Sequence, residues 1–197
     1  KKIKKFIQIG SSLEYGSTSG IHSEKDFATN PITVYGKSKL YSTNYLKFLY
    51  KVYNFPVVIL RLYQVYGPNQ KKNRIIPYVI ESIIKKKKIY TTKGNQVRDF
   101  CYVDDVTDAI VKCIKTKKLA GEIINIGFGR GYKIKDVLEK IFKFFPTYNN
   151  KNKVVKIDTL KRQTKKLVPS IKKAKKLLNW SPKIGLEKGI KKTILNF

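Results

Sequence analysis

Two short apolar runs constrain the fold more than anything else in the chain. They are Phe6-Ile7-Gln8-Ile9-Gly10 and Phe55-Pro56-Val57-Val58-Ile59-Leu60-Arg61-Leu62. Each has the length and composition of a buried strand. Between them runs a helical segment, Tyr35 to about Tyr53, whose apolar stripe is read as Tyr41, Tyr45, Leu46, Leu49 and Tyr50. A helix between two strands returns the second parallel to the first. The chain is therefore expected to be an α/β protein built on a parallel sheet.

The remaining elements follow the same alternation. Helices are expected over Arg74 to Ile84, with Pro77 limiting where the first can begin, over Asp104 to Ile114 and over Lys133 to Phe145. Two more, Ser170 to Leu178, capped by its serine, and Leu186 to Leu195, close the chain. Strands are expected at Val97 to Val103, Glu122 to Ile126 and Val154 to Ile157. Glu14 to Thr33 and Tyr63 to Pro68 read as irregular. Gly127-x-Gly129-x-Gly131 lies between a strand and a helix, but its spacing is not G-x-G-x-x-G and no acidic ribose ligand follows. It reads as a turn rich in left-handed conformation rather than a phosphate cradle.

Composition closes off several function classes. The 197 residues are 42% apolar, enough for one sizeable core. No apolar run approaches the roughly 18 residues of a membrane span, and no signal-peptide pattern is present. Cys101 and Cys113 lack metal-ligand spacing and suit reduced, buried thiols, hence a cytoplasmic location. With one histidine, His22, a His-based metal site is not expected. The formal charge of +30 comes mainly from lysine scattered along the chain, without any nucleic-acid-binding signature. A positive surface would instead attract phosphorylated ligands. The sequence has no methionine and starts a few residues before a strand, so it reads as a fragment lacking an N-terminal portion.

Chemistry concentrates at Tyr35-Gly36-Lys37-Ser38-Lys39. Tyr35 and Lys39 are four residues apart, so on a helix they project from one face. The cation favours phenolate and lets tyrosine serve as acid or base near neutrality. The plainer alternative is an exposed Tyr and Lys on a solvated helix. Upstream, Ser11 and Ser12 sit at the C-terminal end of the first strand, the end at which α/β sheets collect ligands.

Four separated features, Ser11-Ser12-x-x-Tyr15-Gly16, Tyr35-x-x-x-Lys39, Arg61-x-x-x-Val65-Tyr66-Gly67-Pro68 and Arg98-Asp99-Phe100-x-x-Val103-Asp104-Asp105, resemble in order and spacing the extended short-chain dehydrogenase/reductase family. Within it they are similar to the NAD(P)-dependent nucleotide-sugar epimerases, dehydratases and 4-keto reductases. The resemblance covers practically the whole chain. It implies the C-terminal half of a Rossmann-type parallel sheet (1–68 and 91–131) with a small mixed α/β substrate-binding lobe (69–90 and 132–197). It makes Ser11, Tyr35 and Lys39 catalytic, and puts Tyr35, Lys39, Leu62 and Tyr63 against NAD or NADP. Ser11, Ser12, Gln64, Arg98 and Arg162 become contacts to a nucleoside-diphosphate sugar. Gln64 stands where the family often has asparagine. Arg98 matches a diphosphate-binding arginine, its alternative being an ion pair with Asp99, Asp104 or Asp105. The family's 4,6-dehydratases carry acids one and two residues after the catalytic Ser/Thr, where this chain has Ser12 and Leu13. Glu14 is acidic but one residue along a strand reverses the facing. Epimerisation or 4-keto reduction is thus favoured over dehydration, with a non-catalytic binding module as a further alternative. A homodimer through the helix that begins at Tyr35 is the expected assembly.

Overall fold

The computed structural model describes residues 3–26, 30–148, 154–157 and 164–197. Strand β1 (Phe6–Ser11) leads through a 3-10 turn (Ser12–Tyr15) to a short strand β2 (Gly20–His22). Helix α1 (Val34–Tyr53) follows, started by the Thr33 side chain accepting the Gly36 N–H and stopped by Asn54 in the left-handed conformation. Then come β3 (Val57–Leu62), β4 (Gln64–Tyr66), α2 (Ile75–Ile84), β5 (Ile89–Thr91), β6 (Val97–Tyr102) and α3 (Val103–Lys115). The chain continues with β7 (Ile123–Ile126), β8 (Gly131–Lys133), α4 (Ile134–Phe142), β9 (Val154–Lys156), β10 (Lys166–Pro169), α5 (Lys172–Leu178) and α6 (Leu186–Ile194).

The first sheet is parallel, in the order β1-β3-β7. Its central strand is solid Val57-Val58-Ile59-Leu60 because it is covered twice. Val58 and Leu60 pack with Val106, Ala109, Ala174 and Trp180 of the α3–α5 side, and Val57 and Ile59 with Leu46 of α1. Strand β1 is an edge, and Phe6 and Ile9 stay 38% and 36% exposed, so it is less buried than its apolar sequence suggests.

The second sheet runs β2-β10-β6-β4, with β8 antiparallel to β6. Here α2, α4 and α6 pack Ile80, Val137 and Ile190 around Phe100 and Tyr102. Strand β6 pairs with β10, so segments far apart in sequence share one sheet. Between Leu62 and Gln64 the chain leaves the first sheet and enters the second.

Three local expectations need correcting. Tyr41 and Tyr45 are 72% and 62% exposed, because the inward face of α1 is Gly36, Leu40, Thr43 and Leu46. Ser170 does not cap α5: its N–H bonds the His22 carbonyl, as an extension of the β2–β10 pairing, and Ile171 stands at the cap. Glu14 lies in a 3-10 turn rather than a strand, so strand alternation does not decide where it points. Among the described residues no helix is long and apolar enough to cross a membrane.

Candidate active site

Parallel register lines up the C-terminal ends of the strands, pairing Ser11 with Leu62 and Leu62 with Ile126. There β1 stops because Ser11 caps the 3-10 turn: its Oγ accepts the Leu13 N–H at 3.2 Å, and the Glu14 carboxylate accepts the Ser11 N–H at 2.7 Å. Helix α1 begins against this turn. A Cβ on Gly36 would lie 2.7 Å from the Leu13 carbonyl oxygen, so glycine after Tyr35 is what lets the helix approach so closely. Lys39, one turn on, sets its Nζ 5.6 Å from the centre of the Tyr35 ring and donates to the Ile9 carbonyl at 2.9 Å.

A cleft of about 420 Å³ opens here, walled by Ser11, Ser12, Tyr35, Leu62, Tyr63 and Gln64 among others. It shares Leu13, Gln64, Val65, Gln70 and Arg74 with a second pocket of about 320 Å³ that contains Arg98. Thus residues named from four separated motifs line two adjoining pockets with a shared wall, with Lys39 held beside them by the β1 backbone. Arg162 lies outside the described residues. Tyr35 is 53% exposed and accessible to a ligand. Tyr63 differs: its hydroxyl is buried with no hydrogen-bond partner among the described residues, and burial pushes its pKa well up, so it is a wall and not a proton carrier.

The three carboxylates that could have claimed Arg98 are engaged elsewhere. Asp99 accepts the Phe128 and Arg130 N–H groups at 2.7 and 2.9 Å. Asp104 pairs with Lys192 at 2.8 Å, and Asp105 accepts the Lys183 and Ile184 N–H groups, both at 2.9 Å. Arg98 itself donates to the Val97 carbonyl, and burial lowers its pKa. A half-buried guanidinium with no carboxylate partner among the described residues is a ready anion site. The Asp99 contacts also explain the glycine turn at 127–131. Its amides are occupied by that carboxylate, which burial pushes up to about 7 against their pull, and they do not form a phosphate cradle.

Motif spacing does not single out Arg74, Gln70 and Asn73, which the structure adds to the site. They precede α2, and polar residues ahead of a helix N-terminus are the signal that points to them. Glu14 is fully buried, its Oε2 taking Arg61 Nε at 2.9 Å and Thr43 Oγ1 at 2.8 Å. Stripping one partner from such a pair costs roughly 3–5 kcal/mol. The described residues lining the two pockets include no Asp or Glu. No His, Cys, Asp and Glu among the described residues are grouped to hold a metal ion.

Parallel strands, a crossover helix and a ligand cleft at the strand ends define a Rossmann-type α/β protein. The chain belongs to the NAD dependent epimerase/dehydratase family, whose model matches residues 1–127. It is 29% identical to a dTDP-D-glucose 4,6-dehydratase of Bos taurus, over 98% of this chain and 55% of that protein. It is 30% identical to a UDP-glucuronate 4-epimerase of Thermodesulfobacterium geofontis, over 98% of this chain and 58% of that one. Among solved structures, UDP-glucuronic acid 4-epimerase from Bacillus cereus, in complex with UDP-glucuronic acid and NAD, superposes with a TM-score of 0.92 at 31% identity. That match covers 100% of this chain and 62% of the other. The chain thus spans a little over half the length of the curated relatives it matches.

Proposed function

We propose that the complete protein catalyses NAD-dependent epimerisation or 4-keto reduction of a nucleoside-diphosphate sugar. The observation that carries this reading is that Ser11, Tyr35 and Gln64 wall one cleft, which shares a wall with the pocket of Arg98, a guanidinium with no carboxylate partner among the described residues. The residues present fit one end of the cofactor. Tyr35, Lys39, Leu62 and Tyr63 would hold the nicotinamide and its ribose, while the glycine turn at 127–131 has its Phe128 and Arg130 amides taken by Asp99 and is not open to the pyrophosphate. When bound, the nicotinamide supplies hydride acceptance and return at the sugar carbon. Tyr35 takes the hydroxyl proton through its phenolic oxygen and gives it back in the reverse step. Lys39, 5.6 Å from the centre of the Tyr35 ring, would contact the nicotinamide ribose, and Ser11 hydrogen-bonds the reacting sugar oxygen. Arg98 and Arg74 neutralise the diphosphate, and Gln64 contacts the sugar with its amide. Segments 1–68 and 91–131 make up the cofactor-side domain, which also presents Ser11, Gln64 and Arg98 to the substrate, and 69–90 and 132–197 the substrate lobe. A second copy docking on α1 gives the homodimer.

Dehydration is the competing reading, favoured by the 29% identity to a 4,6-dehydratase. It needs an acid for the C6 hydroxyl and a base at C5. Leu13 lines both pockets and Glu14 is tied to Arg61, which leaves neither group in evidence. In the complete protein, Tyr35→Phe should lower kcat by about 10²- to 10⁴-fold with an unchanged melting temperature, since the side chain is 53% exposed. Turnover at the wild-type rate would refute the assignment.

A further inference from the structure

We propose that Glu14 is the positioning residue of this site, a buried carboxylate that fixes Ser11 relative to the helix of Tyr35 and Lys39; the proposal rests on the reaction inferred above. Three donors converge on it from three elements. Oε1 accepts the Ser11 N–H at 2.7 Å, while Oε2 accepts Arg61 Nε from β3 at 2.9 Å and Thr43 Oγ1 from α1 at 2.8 Å. These are the elements that deliver Ser11, then Leu62, then Tyr35 and Lys39. The side chain is fully buried, so it touches neither solvent nor sugar.

The chemistry requires a carboxylate. Two acceptor oxygens and no proton match three donors, whereas a glutamine would turn an NH2 toward one or more of them. Length matters as well, because the chain must reach back from the turn to its own cap. The strand makes room for it: a Cβ on Gly10 would stand 2.6 Å from Glu14 Oε1 and 3.3 Å from the Arg61 side chain. Glu14, Thr43 and Arg61 therefore form one unit behind the cleft, with Gly10 in the cleft wall against Glu14. None of Glu14, Thr43 and Arg61 lines the cleft, and each can act only through where Ser11 and α1 stand.

The test uses the complete protein and variants graded in severity. Thr43→Val deletes one donor at nearly constant volume, and Thr43→Ser keeps it. Glu14→Gln and Gly10→Ala disturb the carboxylate itself. Thr43→Val and Glu14→Gln should lower kcat roughly 10- to 100-fold with little change in KM. Thr43→Ser should restore most of the loss. Amide hydrogen exchange across residues 6–16, which needs no substrate, should quicken in Glu14→Gln and Gly10→Ala and stay at the wild-type rate in Thr43→Ser. Unchanged kcat and exchange in Glu14→Gln would overturn the proposal, and so would losses that merely follow the unfolded fraction on melting. If wild-type protein turns over no nucleotide sugar, the reaction reading fails, and exchange alone then decides whether Glu14 holds Ser11.

Discussion

Arg98 shows at the residue scale how a side chain is freed for a ligand. Its neighbours in sequence are acidic, and each is engaged by other partners: Asp99 by the glycine turn, Asp104 by Lys192, and Asp105 by the backbone after Trp180. The guanidinium is left to the pocket. Arg98→Lys keeps the charge and loses the planar fork, so it should weaken nucleoside-diphosphate binding less than Arg98→Gln does. Charged hydrogen bonds contribute roughly 1.5–3 kcal/mol each, so titration calorimetry with UDP and dTDP should read at least a tenfold loss for Arg98→Gln. Equal affinity in wild type and variant would remove Arg98 from the site. Ser11, Tyr35, Gln64 and Arg98 are legible in the sequence because motif spacing survives without coordinates. Glu14 is not. Strand alternation says nothing of where it faces, because the chain turns into a 3-10 conformation right after Ser11 and sends it inward to Arg61.

At the scale of elements, periodic segments and apolar runs are readable, β7 and β9 included, and the other short paired strands are not. Helices α1, α2 and α3 and strands β3, β6 and β7 announce themselves by local pattern. Strands β2, β4 and β8 have three residues each and β10 four, and they exist because of partners elsewhere: Val168 lies beside Ile21, and Gln64 beside Phe100. The β2–β10 pair carries a pH-sensitive contact. His22 is buried, stacks on Tyr15 at 4.6 Å between ring centres, and bonds the Thr18 carbonyl through Nε2 at 3.0 Å. Its Nδ1 has no partner among the described residues, and burial lowers its pKa in spite of the pull of the Thr18 carbonyl and Asp26. The neutral ring is the native form. The stability that depends on it is full above the ordinary value near ~6.5 and is lost as pH falls below that, through the lowered native value. Melting temperature should therefore drop more between pH 8 and pH 5 for wild type than for His22→Phe, which keeps a ring against Tyr15 and cannot be protonated. Parallel curves would show that His22 is not the titrating group.

For the whole molecule, what is uncovered is as informative as what is packed. Tyr41, Tyr45, Phe48 and Val52 of α1 are 72%, 62%, 51% and 53% exposed, at spacings that give one continuous stripe on the helix. Strand β1 is an edge of its sheet among the described residues. An apolar patch of this kind on a protein of net charge +30 is expected to drive association in spite of charge repulsion. The 197-residue chain alone should thus run as dimers or larger species in light scattering, and Tyr45→Lys with Phe48→Lys should shift it toward monomer; a monodisperse wild-type monomer would contradict this. The reaction belongs to the same scale, because it needs the cofactor and both parts of the cleft. Proton NMR of UDP- and dTDP-sugars incubated with the complete protein and NAD or NADH tests the proposed chemistry most directly. The expected product is inverted at, or reduced to a hydroxyl at, C4, with the C6 substituent intact. A 4-keto-6-deoxy sugar, formed by loss of the C6 hydroxyl, would contradict it.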